Sequence, residues 1–131
     1  MCLFSIEPAP RITQEDIECF KILREKDGQW ITPFRDYPVK FNVELIAEGD
    51  DYEETFIDIF GFYKVDKGYF HSCTSGESTR KYAEEIKVAY TRRGRKCPLL
   101  TGFKAIIPKG SKYYIGSRGD ICSDKLIILK E

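Results

Sequence analysis

The sequence has no stretch of about eighteen apolar residues, so it offers no segment suited to a membrane-spanning helix. Its opening residues, MCLFSIEPAP, contain neither a basic region nor a long apolar region, and so lack the features of a secretory signal peptide. These absences predict a cytoplasmic protein that does not act at a membrane.

Histidine occurs once and cysteine five times, and no two cysteines form a C-x-x-C pair. A zinc site needs thiolate or imidazole ligands that converge, and the wide cysteine spacing does not provide them. We expect no metal site and interpret the cysteines as reduced thiols, with metal or disulfide roles as the less favoured alternative. The cysteines are Cys2, Cys19, Cys73, Cys97 and Cys122.

The composition is that of an ordinary soluble globular protein. Hydrophobic residues make up 42%, aromatic residues 14% and charged residues 32% of the 131 residues. A chain of this length buries enough surface for one hydrophobic core, so we expect a single domain over residues 1–131. Pro8 and Pro10 indicate that residues 1–12 form an extended N-terminal arm.

The zero net charge hides an asymmetry between the two halves of the chain. Residues 1–65 carry seven Lys/Arg and fourteen Asp/Glu, and residues 66–131 carry fourteen and seven, which gives net charges of −7 and +7. Residues 44–58 include seven acids and no base, and residues 92–96 include four bases. If the halves interleave, these charges pair across the surface; if they segregate, each attracts a partner of opposite charge.

The C-terminal thirty residues predict two mostly buried strands, Phe103–Ile107 and Lys125–Leu129, folded back on each other. Pro108 and Gly110 favour a tight turn after the first of them. A short strand is expected at 112–115, followed by a turn or loop over residues 116–120.

The N-terminal half predicts further strands. Residues 17–24 alternate well enough for a strand with Cys19, Lys21 and Leu23 on one side, and Asp27-Gly28 favours a hairpin to a strand that starts at Trp30. A surface loop is expected at 33–40, carrying Phe34, Arg35 and Tyr37, followed by a strand at 40–46 and an acidic loop at 47–55. One strand is expected at 56–65, with a bulge at Gly61. A turn at 66–68 then makes a hairpin to a strand at 69–72.

One principal helix is predicted over about residues 75–90. Thr74 and Glu77 fit a capping box, with the Thr74 hydroxyl accepting from an otherwise unpaired amide. The expected buried stripe is Tyr82, Ala83, Ile86 and Tyr90. Strands, one helix and further strands together predict an α+β domain with a mainly antiparallel, curved sheet.

Few residues in the sequence suggest catalysis. The glycine-rich segment 116–119 lacks the spacing of a phosphate-binding loop. His71 and Cys73 are a candidate base and thiol, but no third orienting residue can be named. A basic loop near Tyr90, or near Tyr113 and Tyr114, is a candidate nucleic-acid site through phosphate contacts and stacking.

The order CFKILR, YFHSCTS followed by a helix, GFKAIIPKGSKYYIG and DKLIIL resembles the skeleton of ADP-ribosyltransferase domains of the Arg/Ser-Thr-Ser/Glu type. The resemblance implies an NAD-binding role for Arg24 and a serine-threonine motif at Ser72, Thr74 or Ser75. Lys125 occupies the position of the catalytic carboxylate, and an ammonium group cannot stabilise the developing oxocarbenium charge. Asp124 is one position away, on the other face of the strand.

The chain also resembles a group of small uncharacterised proteins of gut bacteria and their phages. The shared segments are the MCLF start, the YFHS segment and the IPKGSKYYIG and SDKLII ending. A phage origin would imply a role against host defence by analogy alone.

Two hypotheses follow. In the favoured one the chain is a non-catalytic binding or inhibitor protein that acts on a macromolecular partner, most readily a protein, with nucleic acid or a nucleotide as the alternative ligand. Its binding surface is either the acidic loop 47–55 or the basic loop 91–97, and its candidate binding residues are Arg92, Arg93, Arg95, Lys96, Tyr113 and Arg118. The second is an ADP-ribosyltransferase-like protein that uses NAD or another nucleotide at an altered site, with Arg24, His71, Ser72 and Asp124 as candidate catalytic residues.

Overall fold

A computed structural model describes residues 9–33, 37–47 and 69–131 with their side chains, and three further strands by their backbone. The strands are β1 (Leu3–Ser5), β2 (Arg11–Ile12), β3 (Ile17–Lys26), β4 (Gln29–Ile31), β5 (Glu44–Ile46), β6 (Thr55–Ile57), β7 (Tyr63–Val65), β8 (Phe70–Cys73), β9 (Leu100–Ile107), β10 (Lys112–Ile115), β11 (Asp120–Ser123) and β12 (Lys125–Ile128). The helix is α1 (Gly76–Arg92).

Nine strands form one sheet in the order β2-β10-β11-β8-β3-β9-β12-β5, with β4 paired to β3 beside β8. A separate three-stranded sheet has the order β1-β7-β6. Every registered strand pair is antiparallel. The predicted α+β class, with one principal helix and a mainly antiparallel sheet, is confirmed.

Strand β3 is the centre of the large sheet. It pairs with β9 from Ile17↔Ile107 to Arg24↔Leu100, and its alternation places Cys19 and Leu23 in the main core, at 2% and 0% exposure. Burying a side chain such as that of Leu23 contributes roughly 1.5–3 kcal/mol. We call this side of the sheet the core face and the opposite side the helix face.

The predicted hairpin after β3 is confirmed. Asp27 and Gly28 have φ values of +53° and +77°, as a two-residue turn of the type I′ class requires. The turn pairs β3 with β4 from Arg24↔Ile31 to Lys26↔Gln29. The expected return of the C-terminal strands is also confirmed, because β9 and β12 pair through Ile127↔Ile106.

The helix starts one residue later than the capping signal predicted. Ser75, rather than Thr74, is the N-cap: its Oγ accepts from the backbone N–H of Ser78 at 3.1 Å, and the Ser75 N–H donates back to Ser78 Oγ. Glu77 is therefore not the reciprocal partner. The Thr74 hydroxyl instead donates to the carbonyl of Gly119 at 2.8 Å and ties the helix start to a distant turn.

The buried stripe of α1 is confirmed, with Ile86 fully buried and Tyr82, Ala83 and Tyr90 half-buried. Within the part of the chain that the structure describes, no helix is both long and apolar enough to cross a membrane.

Several strand predictions were wrong. Residues 56–65 are not one bulged strand, because β6 and β7 pair with each other through Phe56↔Lys64. The strand at 70–73 does not form a hairpin with the preceding one: it pairs with β11 and β3. Asp120 begins a strand rather than ending a loop, since β11 pairs along its whole length with β8. The strand expected at 40–46 is reduced to Glu44–Ile46, because a turn with positive φ at Asn42 precedes it.

The N-terminal arm is paired at two places. β1 pairs with β7, and β2 pairs with β10 through Lys112↔Ile12. The predicted positions of Phe34 and Arg35, most of the acidic loop, Gly61 and the turn at 66–68 lie outside the described residues.

Candidate functional site

The C-terminal end of α1 presents a dense group of positive charges, residues 92–96, which we call the basic turn. The helix ends at Arg92, Arg93 caps it, and Gly94 adopts a φ of +66° that turns the chain away. Arg92, Arg93, Arg95 and Lys96 are all exposed.

The cations of the basic turn differ from the other charges around α1. Three ion pairs neutralise side chains elsewhere on or beside the helix, namely Lys81–Glu77 at 3.3 Å, Lys87–Glu84 at 3.3 Å and Arg118–Glu85 at 3.0 Å. Among the described residues, none of the four basic-turn side chains has an ion-pair partner. The helix dipole favours Arg92 in the last turn, but it falls off beyond the helix end and so gives Arg95 and Lys96 no such role.

Apolar side chains flank the basic turn on both sides. Leu99 is 78% exposed, and Val88, one helical turn before Arg92, is 48% exposed. Exposed aliphatic groups next to cations are typical of a surface that buries apolar area against a protein.

The aromatic residues considered for base stacking are held within the fold. Tyr90 is half-buried and its hydroxyl donates to the carbonyl of Pro33 at 3.1 Å. Tyr114 is 1% exposed, and Tyr113 packs against the main core. Arg118 is paired with Glu85 and lies apart from the basic turn in sequence and along the helix.

The four candidate catalytic residues lie in three different places, namely β8, β3 and the link between β11 and β12. His71 and Ser72 are adjacent on β8 and therefore point to opposite faces: Ser72 is opposite Ile121 of the main core, whereas His71 is opposite Cys122 on the helix face. Arg24 lies near the end of β3, four residues beyond the pair that joins β3 to β8. Asp124 is engaged elsewhere, since its Oδ1 accepts from the backbone N–H of Lys112 at 2.9 Å.

His71 has a partner that the sequence did not indicate. Its Nε2 lies 2.9 Å from Oδ2 of Asp120, which begins β11, and both side chains are mostly buried. The ring of Tyr82 from α1 covers the imidazole, with ring centroids 4.5 Å apart. Forty-nine residues separate the two bonded groups, and no local pattern links them.

The electrostatics of this pair favour a neutral imidazole beside a carboxylate. Burial lowers the pKa of His71, although its hydrogen bond to Asp120 acts in the opposite direction. Burial opposes ionisation of Asp120, but its hydrogen bond with His71 is among the interactions that lower the Asp120 pKa overall. Because Asp120 is ionised, His71 carries its proton on Nε2, and this N–H donates a hydrogen bond to the carboxylate.

Two buried thiols, Cys73 on β8 and Cys19 on β3, are protonated at neutral pH. Burial raises the pKa of Cys73, and likewise that of Cys19, to about 11. Thiolate, not thiol, is the nucleophile. The sequence-based pairing of His71 as base with Cys73 as nucleophile therefore lacks an activated sulfur.

A narrow seam divides the large sheet at β3. Phe20↔Cys73 is the single registered pair between β3 and β8, and the same edge of β3 then pairs with β4. Lys21, which is 5% exposed, donates from Nζ to the backbone carbonyl of His71 across this seam. The predicted placement of Lys21 on the Cys19 side of β3 is confirmed, and its ammonium group links the two halves of the sheet.

No protein-family model matches the chain, and neither a curated protein nor a solved structure matches it. Among the described residues there is no group of three or more His, Cys, Asp or Glu side chains arranged to hold a metal ion.

Proposed function

We propose that the chain is a small non-catalytic binding or inhibitor protein whose basic turn captures an acidic surface of a protein partner. The observation that carries this proposal is the presence of four exposed cations in five residues without an ion-pair partner among the described residues. Neighbouring charges on α1 do have such partners. The carboxylates of a partner protein would therefore form the most new ion pairs at the basic turn.

The surroundings of the basic turn favour a protein over a nucleic acid. Leu99 and Val88 offer aliphatic surface, which contributes to a protein interface. Stacking on single-stranded bases needs open aromatic faces. The hydroxyl of Tyr90, the aromatic residue nearest the turn in sequence, is bonded to the fold.

The polar groups considered for catalysis support the same proposal. Asp124 accepts from a backbone N–H, His71 is hydrogen-bonded to a buried carboxylate, and the thiols of Cys73 and Cys19 are protonated. Each of these groups has a structural role within the fold. No such role among the described residues accounts for all four cations of the basic turn.

Charge reversal in the basic turn tests the proposal. The variant carries Arg92→Glu, Arg93→Glu and Arg95→Glu. A control with the same change in net charge carries Lys40→Glu, Lys109→Glu and Lys112→Glu, which are exposed and lie outside α1 and the segment that joins it to β9.

Binding is measured to a fluorescent polyglutamate peptide and to a single-stranded RNA homopolymer of similar charge. Exposed charge pairs contribute about 0.2–1 kcal/mol each, so reversing three arginines should weaken peptide binding about tenfold or more. Added salt should weaken the wild-type complex, because exposed charges are screened. Equal losses in the two variants would contradict the proposal, and binding of RNA alone would favour a nucleic-acid partner instead.

A further inference from the structure

The buried pair of His71 and Asp120 lies beneath the helix that carries the basic turn. His71 is on β8 and Asp120 is on β11, and Tyr82 of α1 rests on the imidazole. His71 is also the only histidine in the chain, so it is the one side chain with an ordinary pKa near 6.5.

The geometry accommodates only one protonation state of His71. Nε2 donates to Asp120, and Nδ1 is buried with no hydrogen-bond partner among the described residues. A neutral imidazole leaves only a lone pair at Nδ1. A second proton would create a buried N–H with no acceptor and a positive charge in a mostly buried site.

The groups that face His71 from the surrounding elements do not relieve that charge fully. On β3, the ammonium group of Lys21 is bonded to the carbonyl of His71 and repels an imidazolium. The Asp120 carboxylate attracts it. Cys73 on β8 and Tyr82 on α1 stay neutral, because burial raises the pKa of each.

Two further titratable groups lie on the same side of the sheet. Cys122 is opposite His71 in the β8–β11 register, and Glu85 of α1 is paired with Arg118 just before β11. Glu85 is therefore already neutralised by an arginine. Consistent with this arrangement, the pKa of His71 is below its ordinary value in the folded protein.

The start of β11 is also the anchor for the start of α1. The carbonyl of Gly119 accepts from both the N–H and the hydroxyl of Thr74, at 2.9 Å and 2.8 Å. A Cβ added at Gly119 would lie 3.2 Å from the Cβ of Ser78, so the turn and the helix are in close contact. Movement of Asp120 would therefore be transmitted to the first two turns of α1.

We propose that His71, Asp120 and Tyr82 form a pH-sensitive contact that holds α1 against the sheet, so that acidification releases the helix from the sheet. Protonation is accommodated only when the imidazole leaves its position under Tyr82. This pH-sensitive contact lies within the fold and does not depend on what the basic turn binds. Where the basic turn does bind a partner, acidification weakens that binding by loosening the helix that presents it.

Hydrogen exchange of α1 amides in the isolated protein tests the proposal directly. Rates are compared at about pH 7.5 and about pH 5.5, after correction for the pH dependence of intrinsic exchange. If only the open form takes up the proton, with a histidine pKa of about 6.5, protection of α1 should fall about tenfold. Amides of the β3–β9 pair provide the internal reference and should keep more of their protection.

The matched variant is His71→Gln, whose side-chain amide can still donate to Asp120 but does not titrate. Protection of its α1 should not change with pH. Protection of wild-type α1 that is independent of pH, or an equal fall in His71→Gln, would overturn the proposal.

If His71→Gln does not fold, proton NMR of the single histidine in the wild-type protein gives the decision. Titration of the imidazole below its ordinary pKa, together with loss of α1 protection, supports the proposal that the contact of His71, Asp120 and Tyr82 holds α1. Titration at or above about 6.5 while α1 stays protected refutes it.

Discussion

Ile86 is the residue on which the packing of α1 depends most, and Ile86→Ala tests that packing. It is the one side chain of the helix with 0% exposure, and α1 packs against β3 and β8 on either side of the seam. The substitution removes three buried carbons, worth about 0.8 kcal/mol each in transfer free energy, and leaves a cavity in addition. We expect the free energy of unfolding to fall by about 2–5 kcal/mol.

Equilibrium unfolding in urea measures this loss, with an unchanged slope as the sign that the same surface is exposed. The matched control is Val88→Ala on the exposed side of the same helix, where we expect a change within about 0.5 kcal/mol. Loss of 2–5 kcal/mol would be a large share of the roughly 5–15 kcal/mol that stabilises a typical domain. Similar values for the two variants would refute the packing described for α1.

Other outcomes follow from single contacts. Gly119→Ala should lower the free energy of unfolding more than Gly110→Ala in urea titrations, because both have positive φ but only Gly119 is crowded by the helix; equal losses would contradict the close contact. Ser75→Ala should cost about 1 kcal/mol through loss of the N-cap, and an unchanged unfolding midpoint would place the cap elsewhere. Since the pKa of His71 is lowered by folding, its contribution to the free energy of unfolding should be fully present above about pH 6.5 and be lost as the pH decreases below that value. Urea titrations at several pH values measure this loss. NAD or ADP-ribose at about a hundred times its dissociation constant would stabilise a nucleotide site by about 2.7 kcal/mol; we expect no shift in thermal denaturation, and a clear shift would favour the nucleotide alternative.

Local patterns predicted those elements whose signals are complete within a few residues. The alternation of 17–24 identified β3 and the side of it that carries Cys19, because strand periodicity needs no distant partner. Asp27-Gly28 identified the hairpin, because its two positive φ values are a property of the dipeptide itself. The apolar spacing around Ile86 identified α1 for the same reason.

Predictions that depended on choosing a partner were less successful. The turn residues at 66–68 predict a hairpin between the preceding strand and a strand at 69–72, yet β8 lies between β11 and β3. Glu77 stands three residues after Thr74, as in a capping box, and so predicts Thr74 as the N-cap. The carbonyl of Gly119, brought close by the fold, engages Thr74 and leaves the capping role to Ser75.

The residues of the candidate site were likewise predictable from sequence only where they are neighbours along the chain. The basic turn is visible in sequence because its charges are consecutive, and the structure adds that all four are exposed. The pair of His71 and Asp120 is created by the register of β8 with β11. The sequence assigns Asp120 to a turn and predicts no strand at 121–123, so nothing in it brings those two side chains together.

Site-specific photo-cross-linking at the basic turn tests the binding function most directly. A photo-cross-linking amino acid replaces Leu99 beside the turn, or Ile46 on the distant edge strand β5 as the control, since both are exposed. After irradiation in cells of the native host, the expected result is a defined protein adduct from position 99 that disappears with Arg92→Glu, Arg93→Glu and Arg95→Glu. An adduct that persists in that variant, or one that forms equally from position 46, would contradict capture by the basic turn.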